Sequence, residues 1–424
     1  GGAGPPLPVA DVRAAMAVRA GQLAAGGAGV CDELLLGLVA ALNNGVTPFT
    51  RAIGSLGTGD LGNLADVALA LLGEGRAWHG GRLVDAGDAL AQAGLAIARL
   101  GPRDGLAFMS SNAFSVGAAA LLAVDALALH DAAMAVAALS FAAVDADPVV
   151  LDARVHPPAH RPGQAAVAER MRRLLGSPGQ NAPGQNAPEQ SPPARERPVQ
   201  DPFPFRAQPQ VDGVLHESLE ALVATLTREL GFAGENALVI AEAEGTSQVL
   251  PNANFHAAAL ASALDGVRAA LAAAAGLVAA RVSALLDARL SGLPQFLALD
   301  PGPDSGALIL EYTVHAVAAE VRSAATPATA QWASVSGGVE SHASFAPMAA
   351  RRGREALDGL RLAVAAELVT AVRALRLSGR EPAGESRALW EAARLQLNPE
   401  LTDRPLHDDV EAARALLAGW RAGR

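Results

Sequence analysis

The chain has 424 residues, of which 51% are apolar but only 4% aromatic, and its net charge at pH 7 is −10. Alanine and leucine dominate, a composition that favours long helices packed through small side chains. The acidic balance, without a basic cluster that holds interleaved aromatics, argues against nucleic acid and against an anionic membrane surface as partners. Every basic residue is arginine, which excludes a lysine Schiff base.

Cysteine and histidine usage argues against bound metal. The single cysteine, Cys31, excludes an intrachain disulfide and a CxxC metal site, and no histidine spacing is typical of metal ligands. The longest apolar runs, such as residues 132–144, are too short to span a bilayer without their flanking charges. With no visible signal peptide, we expect a cytoplasmic protein without metal or membrane segment.

The N-terminal part is predicted to be helical, with a break at Gly26–Gly29 and a second helix over residues 32–42. A glycine-rich stretch follows at Gly54–Leu61. Three glycines crowd six residues before Asp60, and apolar residues then recur at helical spacing up to Leu72. We predict a tight turn that leads into a helix, with Asp60 as the N-cap. Thr58 then lies just ahead of a partly positive helix N-terminus.

The glycine-rich stretch is open to several interpretations. Gly57-x-Gly59-x-x-Gly62 formally matches a dinucleotide fingerprint, but that motif needs a preceding buried strand, and residues 48–53 are a poor one. We therefore expect no nucleotide. Two alternatives remain: a plain turn that lets two helices meet, and a turn that forms an electrophile.

Downstream, apolar periodicity predicts further helices. Residues 176–198 form the clearest linker, with Gly-Gln-Asn-Ala-Pro repeated at 179–183 and 184–188, and we expect a flexible loop. The sequence thus divides into an N-terminal helical part (1–175) that carries the glycine-rich loop, the linker (176–198), and a part with long helices (199–424). The predicted helices cover residues 86–97, 114–144, 214–230, 256–289, 306–324, 343–377, 387–395 and 408–420.

Several ordered motifs share one resemblance. The glycine-rich stretch, with flanks Leu42–Pro48 and Leu71–Gly75, resembles the signature of the aromatic amino acid ammonia-lyases, the family of histidine and phenylalanine ammonia-lyase. Residues 102–107, 199–213, 254–256 and 311–313 each resemble further family motifs, so the resemblance covers nearly the whole chain. It implies an all-α bundle of long helices, of the ammonia-lyase and fumarase/aspartase type, that assembles as a homotetramer.

The resemblance also implies a prosthetic group. In the family an Ala-Ser-Gly triplet cyclises and loses water to form the electrophile methylidene-imidazolone (MIO), and the equivalent triplet here is Gly57-Thr58-Gly59, in a loop one residue shorter. The Thr58 hydroxyl can also leave, which would give an ethylidene. The family's tyrosine base belongs to a loop that would precede Gly1, and the only tyrosine, Tyr312, matches a different family position.

The family's substrate contacts carry over position by position. Arg206 matches the arginine that clamps the substrate carboxylate, a task suited to its planar charged fork, with Gln200 beside it. Phe203 replaces an active-site tyrosine. Ser110 replaces an asparagine, for which Asn112 is a nearby substitute.

Glu340 matches a glutamate that lies near the substrate amine or ring in histidine-type members, and we assign it with the triplet to catalysis. The leading hypothesis is elimination of ammonia from an aromatic or imidazole amino acid, giving an arylacrylate. One alternative keeps the elimination without the electrophile, with trimethylamine leaving a betaine such as ergothioneine. The other is a catalytically silent homologue that binds a small acid or serves as a subunit.

Overall fold

The computed structural model describes residues 1–176, 200–242 and 245–420, and these ranges are mainly helical. The predicted linker at 176–198 lies outside them apart from Gly176, so it stays a prediction. The described helices are α1 Val9–Ala24, α2 Asp32–Asn43, α3 Leu61–Leu71, α4 Ala86–Gln92, α5 Asp104–Met109, α6 Ala113–Val144, α7 Pro162–Leu175, α8 Phe203–Arg206, α9 Gln208–Leu230, α10 Ala258–Leu286, α11 Ala288–Ser291, α12 Leu308–Ala324, α13 Ala346–Ser378, α14 Ser386–Gln396 and α15 His407–Gly419.

The all-α prediction is confirmed, and most predicted helices begin and end within three residues of the observed ones. Two differ by more. Helix α4 ends at Gln92, short of the predicted 97, because Gly94 takes a left-handed conformation with φ +69°. Helix α9 begins at Gln208 rather than 214, and its second residue, Pro209, is tolerated because the first helical turn needs no N–H donor there.

Short antiparallel strands occur that the sequence did not predict. The described strands are β1 Ala3–Pro6, β2 Thr47–Pro48, β3 Arg51–Ile53, β4 Arg76–His79, β5 Arg82–Asp85, β6 Leu238–Ala241 and β7 Ser247–Leu250. Strand β1 pairs with β3, β6 pairs with β7, and β4 lies between β2 and β5 and pairs with both. The three residues of β3, which lead toward the glycine-rich stretch, are not buried, so a buried parallel strand of the kind found in dinucleotide folds does not precede it.

The chain forms two compact units, each discontinuous in sequence. The first comprises residues 1–124, 221–266 and 327–353, and the second comprises 125–220, 267–326 and 354–424. All the described strands belong to the first unit. The three-part division of the sequence at 175 and 199 stays a prediction.

In the first unit, helices approach closely through small residues. A Cβ added to Gly117 of α6 would lie 2.7 Å from the Ala15 nitrogen of α1, so only glycine allows this contact. Nearby, Arg19 is fully buried and pairs with Glu235 at 2.8 Å. Its guanidinium also donates to the carbonyl of Phe108 at 2.9 Å. This carbonyl is in the last turn of α5, where the helix itself provides no N–H donor.

In the second unit, a buried polar cluster joins four long helices. Arg281 of α10 forms a two-pronged ion pair with Glu367 of α13, at 2.6 and 2.9 Å, and Ser140 of α6 donates to the same carboxylate at 2.8 Å. Asp212 of α9 is fully buried beside them. Burial raises its pKa to about 6, although the charge of Arg281 acts in the opposite direction.

Within the described ranges, two segments are long and apolar enough to cross a membrane, which corrects the expectation that the apolar runs are too short. They are residues 104–144, which include α6, and α10. The apolar windows of these segments are 72% and 67% buried within the protein, as is common for core helices of soluble proteins. Length and composition therefore do not distinguish these segments from core helices.

Candidate active site

The glycine-rich turn lies in the first unit and is buried over Gly57–Asp60. Gly57 and Gly59 both take positive φ angles, +79° and +89°, which side chains rarely allow. Helix α3 begins directly afterwards at Leu61. The predicted tight turn ahead of a helix is therefore present.

Asp60 occupies the N-cap position of α3, but the prediction that it caps this helix is wrong. Its side chain makes no capping hydrogen bond. Instead the carboxylate accepts from the Ser55 hydroxyl at 2.6 Å and from the backbone N–H and hydroxyl of Ser115, at 2.8 and 3.1 Å. Complete burial raises the pKa of Asp60, and these hydrogen bonds oppose the rise. Asp60 thus ties the turn to the start of α6.

Both polar backbone atoms of Gly57 have hydrogen-bond partners. Its N–H donates to the Ser55 hydroxyl oxygen at 3.2 Å, and its carbonyl accepts from the buried Ser344 hydroxyl at 2.9 Å. The preceding carbonyl, that of Leu56, accepts from the Phe345 N–H at 2.8 Å. The turn therefore lies directly against the residues that begin α13.

Thr58 is 9% exposed and forms an isolated antiparallel bridge with His256. The His256 Nε2 lies 3.0 Å from the His342 Nδ1. Burial and the neighbouring His342 lower the pKa of His256. No local sequence signal pairs these two histidines, which lie 86 residues apart in the chain.

The residues around Asn112 form a buried hydrogen-bond network beneath the turn. The Asn112 amide donates to Glu229 at 2.9 Å and accepts from Gln22 at 3.0 Å. The Ser111 carbonyl accepts from the Asp60 N–H at 2.6 Å. Ser110 is buried, and no described residue hydrogen-bonds to its hydroxyl. Asn112 is thus held by the protein, whereas the Ser110 hydroxyl is not.

Glu340 ends a small turn that precedes α13. Its backbone pairs with Val335 in both directions, at 2.9 and 3.3 Å. The side chain is half-buried, and within the described ranges no group bonds to its carboxylate. The predicted catalytic glutamate therefore belongs to the same unit as the triplet.

Three of the predicted substrate contacts belong to the second unit. The Arg206 Nε donates to the Asp201 carbonyl at 3.0 Å, and its guanidinium carbon lies 5.3 Å from the centre of the Phe203 ring. Phe203 and Gln200 are exposed. This part of the structure thus brings together Arg206 and Phe203. Tyr312 of α12 also belongs to this unit and is 67% exposed.

Among the described residues, no group of three or more histidine, cysteine, aspartate or glutamate side chains is arranged to hold a metal ion. The groups that hydrogen-bond to the turn itself include serine hydroxyls, backbone groups and the buried Asp60 carboxylate. Such a set can hold and polarise a peptide backbone.

Solved structures define the class of this fold. The chain superimposes on tyrosine aminomutase from Streptomyces globisporus with a TM-score of 0.89 and 31% identity, covering 98% of this chain and 81% of that one. It also matches the ergothioneine-degrading enzyme ergothionase from Treponema denticola, with a TM-score of 0.88 and 26% identity over 98% and 81% of the two chains. The architecture is the mainly α fold of ammonia-lyases and aminomutases.

Sequence comparisons identify the family. A family model described as aromatic amino acid lyase matches residues 1–395. Histidine ammonia-lyase from Geobacillus kaustophilus (strain HTA426) is 36% identical over 423 residues, which cover 98% of this chain and 80% of that protein. The chain belongs to the aromatic amino acid lyase family and is a carbon–nitrogen lyase of the ammonia-lyase type, as the motifs predicted.

Proposed function

We propose that this protein eliminates ammonia from histidine or a histidine-like amino acid to give the corresponding arylacrylate. The observation that carries this proposal is the buried Gly57-Thr58-Gly59 turn, with its first carbonyl hydrogen-bonded by Ser344. The 36% identity to a histidine ammonia-lyase supports the choice of substrate.

The family is known for a prosthetic group made from its own backbone, and the residues of this turn fit that group. A Cβ at Gly57 would lie 2.1 Å from the Ser344 oxygen, so the glycine found there suits the space. The Thr58 hydroxyl has no hydrogen-bond partner among the described residues, and it is free to leave. When formed, such a group supplies an electrophilic carbon that activates the substrate nitrogen as a leaving group.

The remaining residues would bind and orient the substrate. Arg206 is anchored through Nε, and no described residue hydrogen-bonds to its terminal N–H groups, which would bind a substrate carboxylate. Phe203 stacks on that guanidinium, and Gln200 would add a hydrogen bond. Glu340 offers an unbonded carboxylate to the substrate amine or imidazole. The Asn112 amide already bonds to Glu229 and Gln22. The Ser110 hydroxyl would therefore contact the substrate in its place.

We also propose that the protein is a cytoplasmic homotetramer. Large apolar side chains stand exposed on helices of the second unit, among them Val214, Ile309 and Tyr312. Contacts between copies would remove such side chains from water. Light scattering coupled to size-exclusion chromatography measures this directly, and a monomeric mass would refute the assembly.

A second candidate function is elimination of trimethylamine from a betaine such as ergothioneine. The specific observation in its favour is the match to ergothionase over 98% of this chain, together with the departure of Gly57 and Thr58 from the family triplet. A quaternary nitrogen is already a good leaving group and would not need an electrophile.

One experiment separates these candidates. The intact mass of the purified chain is compared with that of Thr58→Ala, which has no hydroxyl to lose. Both proteins are then incubated with histidine, tyrosine, phenylalanine and ergothioneine, and new absorbance is followed in the near ultraviolet. We expect the wild-type mass to fall short of the sequence mass by two waters, and histidine to give an absorbing product only with the wild type.

The other outcomes identify the alternatives. Product from ergothioneine with both proteins, at full sequence mass, would support the betaine reaction. No product from any of the four compounds would support a catalytically silent homologue.

A further inference from the structure

The start of α13 faces two successive carbonyls of the turn. The Phe345 N–H donates to the Leu56 carbonyl at 2.8 Å, and the Ser344 hydroxyl donates to the Gly57 carbonyl at 2.9 Å. Helix α13 runs for 33 residues, and unpaired N–H groups at a helix N-terminus carry partial positive charge. The Gly57 oxygen therefore lies in a positive environment.

The direction of the Ser344 hydroxyl is fixed by its neighbours. Its oxygen accepts from the Ala346 N–H at 3.3 Å, and a serine hydroxyl has a single proton to donate. That proton therefore points to the Gly57 carbonyl oxygen. Ser344 is 3% exposed, so water does not compete for this contact.

The opposite side of Gly57 is fixed as well. Its N–H donates to the Ser55 oxygen at 3.2 Å, while the Ser55 hydroxyl proton goes to the Asp60 carboxylate at 2.6 Å. Asp60 is in turn held by Ser115. The peptide groups on both sides of Gly57 are thus fixed before any reaction.

We propose that Ser344 is a catalytic residue for maturation of the turn, as the hydrogen-bond donor that stabilises negative charge on the Gly57 oxygen during backbone cyclisation. This inference rests on the proposed function. A fixed donor aimed at a developing oxyanion in a buried site needs no reorganisation during the reaction. The N-terminus of α13 adds to the same effect.

The step balances without an oxidant or a second reactant. The Gly59 nitrogen forms a bond to the Gly57 carbonyl carbon, and the Gly57 oxygen becomes the oxyanion that Ser344 stabilises. That oxygen leaves as water with the amide protons of Thr58 and Gly59, which leaves a C=N bond. The Thr58 hydroxyl leaves as a second water with the Thr58 Cα proton, which gives the exocyclic double bond.

The test follows maturation by mass rather than by activity. Wild type and Ser344→Ala are produced in parallel, and the fraction of chains that lack two waters is measured against time. Loss of one donor to an oxyanion typically slows a reaction by about 10²- to 10³-fold, and we expect a decrease of this order for Ser344→Ala. Ser344→Thr keeps the hydroxyl and should restore maturation.

Ser386→Ala is the matched control. Ser386 is also a buried serine near the start of a helix, and its hydroxyl donates to the Ala383 carbonyl at 3.1 Å, in the second unit. We expect this variant to mature at the wild-type rate. Far-ultraviolet circular dichroism and thermal unfolding of every variant show whether folding itself has changed.

Each result bears on the proposal. Maturation of Ser344→Ala at the wild-type rate overturns it, and so does an equal slowing of Ser344→Ala and Ser386→Ala, which would indicate general destabilisation. If Ser344→Ala does not fold, failure of a folded Ser344→Thr to mature overturns it. A wild-type chain of full sequence mass overturns both this inference and the proposed electrophile.

Discussion

A glycine at position 57, where the family carries alanine, is explained by its contact with Ser344. Gly57 has a left-handed φ of +79°, and a Cβ there would lie 2.1 Å from the Ser344 oxygen. Backbone atoms of Phe345 and Ala346 lie 3.2 and 3.1 Å from the same point. In this conformation the turn can approach α13 so closely only because residue 57 has no side chain.

We predict that Gly57→Ala destabilises the protein more than Gly75→Ala. Gly75 is the matched control because its φ is +74° but no atom lies within 4 Å of an added Cβ. The left-handed conformation alone costs a residue with a Cβ about 1–2 kcal/mol. Gly57→Ala carries this cost plus a steric clash. Chemical denaturation measures the difference, and Gly57→Ala combined with Ser344→Gly should recover part of it.

Equal losses for the two alanine variants would contradict this prediction, since they would show that Ser344 moves aside at no cost. Recovery in the double variant is the more specific result, because removal of the serine side chain opens the space that the new methyl group needs.

At the scale of single residues, local sequence indicated the turn but not its contacts. Crowded glycines before a helical pattern located Gly57–Gly59 because the backbone geometry they allow is local. Asp60 looked like an N-cap for the same reason, yet Ser55 and Ser115 hold its carboxylate. Ser344 was missed because a serine in the first turn of a predicted helix has a sufficient local explanation, and its partner is distant in sequence.

At the scale of elements, the long helices could be predicted from the sequence and the short strands could not. Helices such as α6 and α13 have more than 30 residues, enough turns for apolar periodicity to stand out. The strands have two to four residues, too few for an alternating pattern. Their pairing with distant segments, such as β1 with β3, also leaves no local signal.

Helix α6 carries a histidine whose ionisation should affect stability. His130 is 4% exposed, and its Nε2 has no hydrogen-bond partner among the described residues. The ring of His216 on α9 lies 5.7 Å away. Burial, and secondarily the charge of His216, lower the pKa of His130 from 6.5 to about 4, although Asp131 acts in the opposite direction.

We predict that His130 makes the protein less stable in mild acid. Above pH 6.5 the imidazole is neutral in both the folded and the unfolded chain and has no effect. As the pH falls from 6.5 to about 4, only the unfolded chain takes up the proton, and the free energy of unfolding falls by about 3 kcal/mol. Urea denaturation across this range measures the slope.

The variant His130→Leu should show a shallower dependence on pH than the wild type, whatever its stability at pH 7. Other titrating groups are common to both proteins, so the difference in slope isolates His130. His407→Leu, which changes a histidine that is 76% exposed, is the control. Identical slopes for wild type and His130→Leu would contradict the prediction.

At the scale of the whole molecule, the second unit contains a buried ion pair that joins two of its long helices. The Arg281 and Glu367 side chains are 2% and 0% exposed. Asp212 lies beside them, with its pKa raised to about 6 by burial. Removal of one partner from such a pair leaves the other charge buried and unpaired.

We predict that Glu367→Gln lowers the free energy of unfolding by about 3–5 kcal/mol, the usual cost of breaking a buried pair. Arg281→Met combined with Glu367→Leu should cost less, because it removes both charges. Asp358→Asn breaks an exposed ion pair on the same helix and should change stability by about 0.5 kcal/mol or less. A larger loss in the double variant than in Glu367→Gln would contradict the prediction.

The sequence predicted the long-range organisation of the chain only through its resemblance to a known family. Ordered motifs across the chain indicated the family and, with it, the mainly α fold. Composition and periodicity alone do not show that residues 221–266 and 327–353 join the N-terminal part in one compact unit. Such interleaving depends on contacts between segments that are far apart in sequence.

The contact between Gly57 and Ser344 joins positions 287 residues apart. During synthesis at about 5–20 residues per second, Ser344 follows Gly57 by about 15–60 s. If the hydroxyl of Ser344 promotes cyclisation, the turn stays an ordinary peptide on the ribosome until most of the protein has been made. Prematurely terminated chains would then carry no electrophile, and the reactive carbon would appear only in molecules that have already folded around it.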